Sequence, residues 1–305
     1  MIIITTKEIR ELTGNYFANN EFGKIAGEIE MASEELAELI GEEVYQEAEA
    51  LYVKMDASDK EKELVKRVQR PIAIMATLRM YQKNDLSHED DGRKFKIDAE
   101  SEKLPWEWQL DRDDARHLED YHKAVDVLIR YLNKNDIKMW KEGKTYLESQ
   151  KLLIRNGQEF DTYFPIEKSE RTYLMLVPYI KEVQMLHTKK AYGAEKWGEL
   201  LAANGETKTD EHYAACKATA LMAMSLAMTR MQLRAIPAGV VRSYVAENGA
   251  MASAPANMQD IKMLAEWMRD DALGWLDEMK QARDGGQRMY GMLPENDKRN
   301  KFMRL

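Results

Sequence analysis

The chain has 305 residues and a formal charge of −8, with 32% charged and 44% hydrophobic residues, a globular balance that excludes disorder throughout. Only 16 glycines and 7 prolines accompany 20 methionines, too few turn residues for an all-β fold, so long helices are expected. Lys and Arg are interspersed with Asp and Glu, so the clustered cationic surface of a duplex binder is not expected.

Thr5-Thr6-Lys7-Glu8 has capping-box spacing and predicts a short first helix. After a loop at Asn15–Asn20, the apolar positions Phe22, Ile25, Ile29, Ala32, Leu36, Leu39 and Ile40 recur at helical spacing. Gly41 permits a break, and Glu42–Tyr52 resumes the helix. Asp56–Asp59 supplies a loop and cap before a helix over about 60–81, where Pro71 predicts a kink or a boundary. Leu86–Ile97 reads as a polar turn. Pro105 precedes a strong amphipathic helix over 111–132, with Ala115, Leu118, Tyr121, Ala124, Val125, Leu128 and Leu132 along its apolar stripe.

The second half repeats this order about 150 positions later. Leu152–Phe164 matches the opening, and Leu176, Ile180 and Val183 follow Ile25, Ile29 and Ala32. The loop Asn204–Asp210 matches Asp56–Asp59. His212–Leu233 answers the 60–81 helix, with Arg230-Met231 standing where Arg79-Met80 stands in the first copy. Ile236–Arg242 parallels the turn Leu86–Arg93, and Asp120, Ala124 and Leu128 find echoes in Asp270, Ala272 and Leu276. The spacing predicts an all-α chain of two tandem, duplicated helical-bundle units: 1–135, then a linker or helical hairpin at 136–151, then 152–283. An extended C-terminal tail, 284–305, completes it.

No local motif carries catalysis. There is no Gly-x-x-x-x-Gly-Lys-Ser/Thr, Gly-x-Gly-x-x-Gly or Gly-x-Ser-x-Gly. Glu119-Asp120-Tyr121-His122 is a single Glu-x-x-His where a di-iron bundle needs two, and it reads as a solvated helix face. His88–Asp91 lacks the alternating ligands of a calcium loop, and His117 and His122 lie off a common stripe. Cys216, the one cysteine, sits in an apolar run and reads as a small packed hydrophobe with no partner base near it in sequence. No intrachain disulfide is possible, Met1–Ile4 is too short for a signal peptide core, and no membrane span is expected, so synthesis in the cytoplasm is expected. No catalytic, metal or cofactor-binding residue is assigned.

Met222, Met224, Met228 and Met231 lie at helical spacing and read as core rather than as an adaptable docking surface. Two features are candidate contact surfaces. Trp106 and Trp108, beside Pro105 in a charged stretch, read either as partner anchors or as a cover on the local bundle. The tail after Asp284-Gly285-Gly286 is basic on an acidic chain and reads either as a frayed terminus or as a segment that orders on a neighbouring subunit, with Tyr290, Met292, Leu293, Phe302 and Leu305 as anchors.

Gln69–Asp91 with Leu104–Trp108, and Glu170–Gln184 with Ile236–Val240, resemble an uncharacterised family of about this length found in gut bacteria and their phages. The helix order (capped opening, acidic helix, alanine-rich long helix ending in Arg, polar turn) is similar to that of the head–tail connector (adaptor) proteins of tailed phages. That resemblance implies a virion structural protein of the neck, made in the bacterial host. It would form a ring, commonly of twelve subunits, against the portal, with DNA passing through the lumen without specific binding. The alternatives are a helical binding or regulatory module acting as monomer or dimer, and an enzyme with a dispersed or metal-dependent site.

Overall fold

The computed structural model describes residues 1–14, 16, 20–89, 92–94, 105–203, 209–230, 241–245, 251–255 and 258–284. The fold is all-α, with two short β-ribbons, and it divides into two compact units. The first comprises Met1–Gln150 and Ser169–Arg171, the second Lys151–Lys168 and Thr172–Leu305.

In the first unit, the extended residues Ile2 and Ile3 are buried and lead into α1 (Thr6–Thr13). Thr5 caps it: the Glu8 amide donates to the Thr5 hydroxyl, and the Glu8 carboxylate accepts from the Thr5 amide. Helix α2 (Ala26–Ile40) buries Ile29, Ala32, Leu36 and Ile40, one stripe of a 3.6-residue period. It stops at Gly41, whose backbone (φ 95°, ψ 135°) is open only to glycine, and α3 (Glu42–Tyr52) continues. Ser58 and Glu61 form the capping box of α4 (Asp59–Asn84). Helix α4 is buried along most of its circumference and is the central pillar of the unit, with α1, α2, α3 and α5 against it.

Pro71 does not mark a boundary. Helix α4 runs through it without a break, and Pro71 is buried within it. The expected polar turn is in part a ribbon, β1 (Ser87–Glu89) pairing antiparallel with β2 (Gly92–Lys94). Helix α5 (Glu107–Lys134) follows, and here the expected stripe is only half buried. Val125, Leu128, Ile129 and Leu132 reach the core, whereas Leu118, in the N-terminal half of α5, is exposed. Helices α6 (Lys138–Glu142) and α7 (Lys144–Gln150) close the unit, with Trp140 buried and its ring N–H donating to Asn133.

The second unit repeats the plan. Leu153 and Ile154 are buried ahead of α8 (Gly157–Tyr163), which Asn156 caps through the Glu159 amide. Asn156 lies 151 positions after Thr5, and Glu159 the same distance after Glu8. Helix α9 (Glu170–Val183) passes into a π-helical turn (Gln184–Thr188) and α10 (Lys189–Tyr192), then stops at Gly193, where φ is 105° and ψ 133°. Next come α11 (Trp197–Ala202) and the central α12 (Asp210–Arg230). Strands β3 (Val241–Val245) and β4 (Met251–Pro255) pair, and α13 (Met258–Arg283) packs along α12. Alanine-rich α12 lets its neighbours approach closely, and Ser225 Oγ donates to the Ala265 carbonyl across the α12–α13 contact. The core gathers Leu152, Phe160, Tyr173, Ile180, Ala215 and Met279.

Equivalent long-range contacts recur in both copies. Arg79 holds Glu35 through both carboxylate oxygens at 2.8 and 2.7 Å, and Arg230 holds Glu182 at 2.9 and 2.7 Å. This pairing corrects one register read from sequence. Glu35 answers Glu182, so Ile29 aligns with Leu176, one helical turn from the expected match; the turns between Glu182 and Gly193 absorb the added length. A helical stripe slid by four residues keeps nearly the same face, so sequence periodicity alone could not separate these registers.

Candidate functional site

Trp106 and Trp108 occupy the start of α5 and stand in solvent, 72% and 56% exposed. The Trp106 amide donates to Gln109 Oε1, which fixes the first turn without covering either ring. The Arg112 guanidinium lies 5.8 Å from the Trp108 ring centroid, one turn on, and leaves the other face free. Next to them a shallow groove of about 620 Å³ runs along α5 past Trp108, Arg112 and Ala115. The second unit carries its own exposed apolar set on α13: Met263, Trp267 and Leu273. Each unit thus carries a long helix with large apolar side chains in solvent. The tail anchors Tyr290, Met292, Leu293, Phe302 and Leu305 lie outside the described residues.

The methionines fall as expected. Met222 and Met228 are in the core and Met224 is partly buried against it, while Met231 lies outside the described residues. Cys216 is fully buried, but the expectation that no base stands near it is wrong. His212, one turn earlier on α12 and itself 2% exposed, places Nδ1 3.6 Å from the Cys216 sulfur. The i, i+4 spacing was present in the sequence. Burial of both groups removes the access that a reactive thiol needs, so the pair is a packed interior contact. Burial, with Cys216 close by, pushes the Tyr163 hydroxyl far above the usual phenol range.

His122 is a second correction, because it is not on a solvated face. It is half-buried beside Tyr121, and burial, with the Arg171 guanidinium nearby, holds it down to about 4. Asp126, one turn on, accepts from the Ser169 hydroxyl and the Arg171 amide at 3.1 and 2.8 Å. Burial raises its carboxyl even so. Its partners are the opening residues of α9, so Asp126 satisfies a helix N–H that has no intrahelical acceptor. Glu119 points elsewhere and pairs with Lys123. His117 is buried, edge-on to Tyr81, with Nδ1 3.0 Å from the Asp113 carbonyl. Among the described residues no three His, Cys, Asp or Glu side chains gather as a metal site, and no helix is long and apolar enough to cross a membrane.

Sequence reading missed one feature. Lys66, Arg67 and Arg70 of α4 and Arg116 and Lys123 of α5 line one cleft of about 530 Å³, floored by Leu12, Ile74, Ala124 and Val127. The α4 cations form a short basic run, Lys66-Arg67-Val68-Gln69-Arg70, but Arg116 and Lys123 stand among Asp113, Asp114, Glu119 and Asp120 on a helix 46 or more positions later. Helix packing sorts the charges by face, and only the folded unit shows the concentration.

The family model described as "Family of unknown function (DUF6712)" matches residues 36–150 and 186–282, one segment in each unit. No curated protein and no solved structure matches the chain.

Proposed function

The chain belongs to this family of unknown function, DUF6712, and we propose that it is a non-enzymatic virion structural protein, an adaptor in the head–tail connector of a tailed phage. In this reading copies of the chain form a ring next to the portal, at the neck of the virion. The observation that carries it is the solvated apolar surface on one long helix of each unit, Trp106 and Trp108 on α5 and Trp267 on α13. Large aromatic side chains in solvent are the groups that dominate interface energies once covered. A duplicated bundle offers such a surface twice per chain, which suits the head-to-tail contacts of a closed ring. The net charge of −8 supports a lumen that repels phosphate, so DNA passes without being gripped; a basic lumen would overturn that part.

The test is the mass of the purified chain by light scattering, with electron microscopy of the peak. A discrete closed assembly of many 35.4 kDa subunits is expected. The double substitution W106A/W108A should dissociate it while changing unfolding free energy by less than about 0.5 kcal/mol, as exposed positions do. A chain that stays monomeric, alone and with a portal protein, would overturn the adaptor. The same tryptophans would then favour the second reading, a binding module acting as monomer or dimer.

A further inference from the structure

We propose that the basic cleft between α1, α4 and α5 of the first unit receives the acidic outer face of α2 from a second copy of this chain. The inference rests on the ring reading above and names one contact that would build the ring.

The cleft calls for an anionic ligand with an apolar part. Five cations line it against two carboxylates, Glu63 and Asp120. Arg67 and Arg116 spend part of their charge on those two, at 2.6 and 3.2 Å, and Lys123 pairs with Glu119 beside the cleft. Lys66 and Arg70 are exposed and have no ion pair among the described residues. Lys66, Arg70 and Ile74 sit at i, i+4 and i+8 on α4, so this wall is about 12 Å long. The floor is aliphatic. A nucleic-acid backbone would supply the oxyanions but nothing to cover that floor.

Helix α2 supplies both. Glu30, Glu34 and Glu38 are exposed at i, i+4 and i+8, a column also about 12 Å long. Like charges at this spacing cost an isolated helix stability, and these three have no ion pair among the described residues. Their neighbours Glu28 and Glu35 differ, being held by Lys83 and Arg79 of the same unit. Met31, next to Glu30 on this face, is exposed and flexible enough to fill an irregular apolar floor. Cleft and column share no residue, so joining the cleft of one copy to the column of the next is a heterologous contact. Such contacts propagate until they close into a ring.

The test uses the full chain and two charge-reversed variants, K66E/R70E and E34K/E38K, with the dissociation constant of self-association read from mass against concentration. All four positions are exposed, and an unchanged melting curve confirms that each variant folds. Each variant alone should associate at least tenfold more weakly than the wild type, and raising salt should weaken the wild type in the same direction. An equimolar mixture of the two variants should recover wild-type association within about threefold, because the reversed cleft of one then accepts the reversed column of the other. Variants that assemble like the wild type would overturn this contact and leave the ring intact. A wild type that is monomeric at every concentration would overturn the contact and the ring together. Binding of a labelled 30-base-pair duplex that K66E/R70E abolishes, with assembly unchanged, would overturn the contact in favour of phosphate recognition.

Discussion

At the scale of single residues, the interior of the first unit carries a pH dependence that can be traced to His122. Burial and Arg171 hold its ring down to about 4 from an ordinary 6.5. Between those values the unfolded chain takes up a proton that the folded one refuses. Stability is therefore whole above pH 6.5 and falls as the pH drops toward 4, by up to about 3 kcal/mol. Urea unfolding at pH 7 and pH 4.5 measures the drop, and H122Q should narrow it by about 1–2 kcal/mol. Parallel losses in variant and wild type would assign the acid sensitivity to other groups. His122 also marks a limit of sequence reading. Its Glu-x-x-His spacing was visible in sequence, but its burial and its nearness to Arg171, 49 positions away, were not.

At the scale of elements, glycine punctuation was legible and has an energetic consequence. Gly41 and Gly193 end corresponding helices in nearly the same backbone conformation, with φ of 95° and 105°. A Cβ at Gly41 would meet only Glu43 Oε2 at 3.5 Å, an ordinary contact. The cost of G41A therefore lies in the backbone, about 1–3 kcal/mol, with a similar loss expected for G193A. Gly27, inside α2 with open space around it, is the control. G27A should stabilise by up to about 1 kcal/mol, because alanine restricts the unfolded chain and favours the helix. Denaturant midpoints for the three variants decide the matter; a G41A as stable as G27A would refute the conformational assignment. Helix α5 shows the converse. Its stripe from Ala115 to Leu132 was correctly placed on one face, but periodicity says which residues could be buried together and not how far along the helix a partner extends.

At the scale of the whole molecule, the duplication was legible because capping boxes, glycine stops and helix order survive in sequence at a nearly constant separation. The tail 285–305 is where the whole-chain reading is most exposed to test. Ending the chain at Asp284 should leave the helical signal and thermal midpoint unchanged within about 2 °C while lowering the yield of assembled rings. Retained assembly would remove Tyr290, Met292, Leu293, Phe302 and Leu305 as anchors.

By itself the sequence determined the all-α class, the two copies and most helix limits, because caps, glycines and apolar periodicity act within a few residues along the chain; the exposure of Trp106 and Trp108 came from the structure. Tertiary structure decided the rest. It set the register between copies, the burial of His122, the meeting of His212 with Cys216 inside a closed core, and the gathering of Lys66, Arg70, Arg116 and Lys123 into one cleft. Those depend on which helix faces come together, and a helical stripe that reads the same after a four-residue shift leaves that choice to packing.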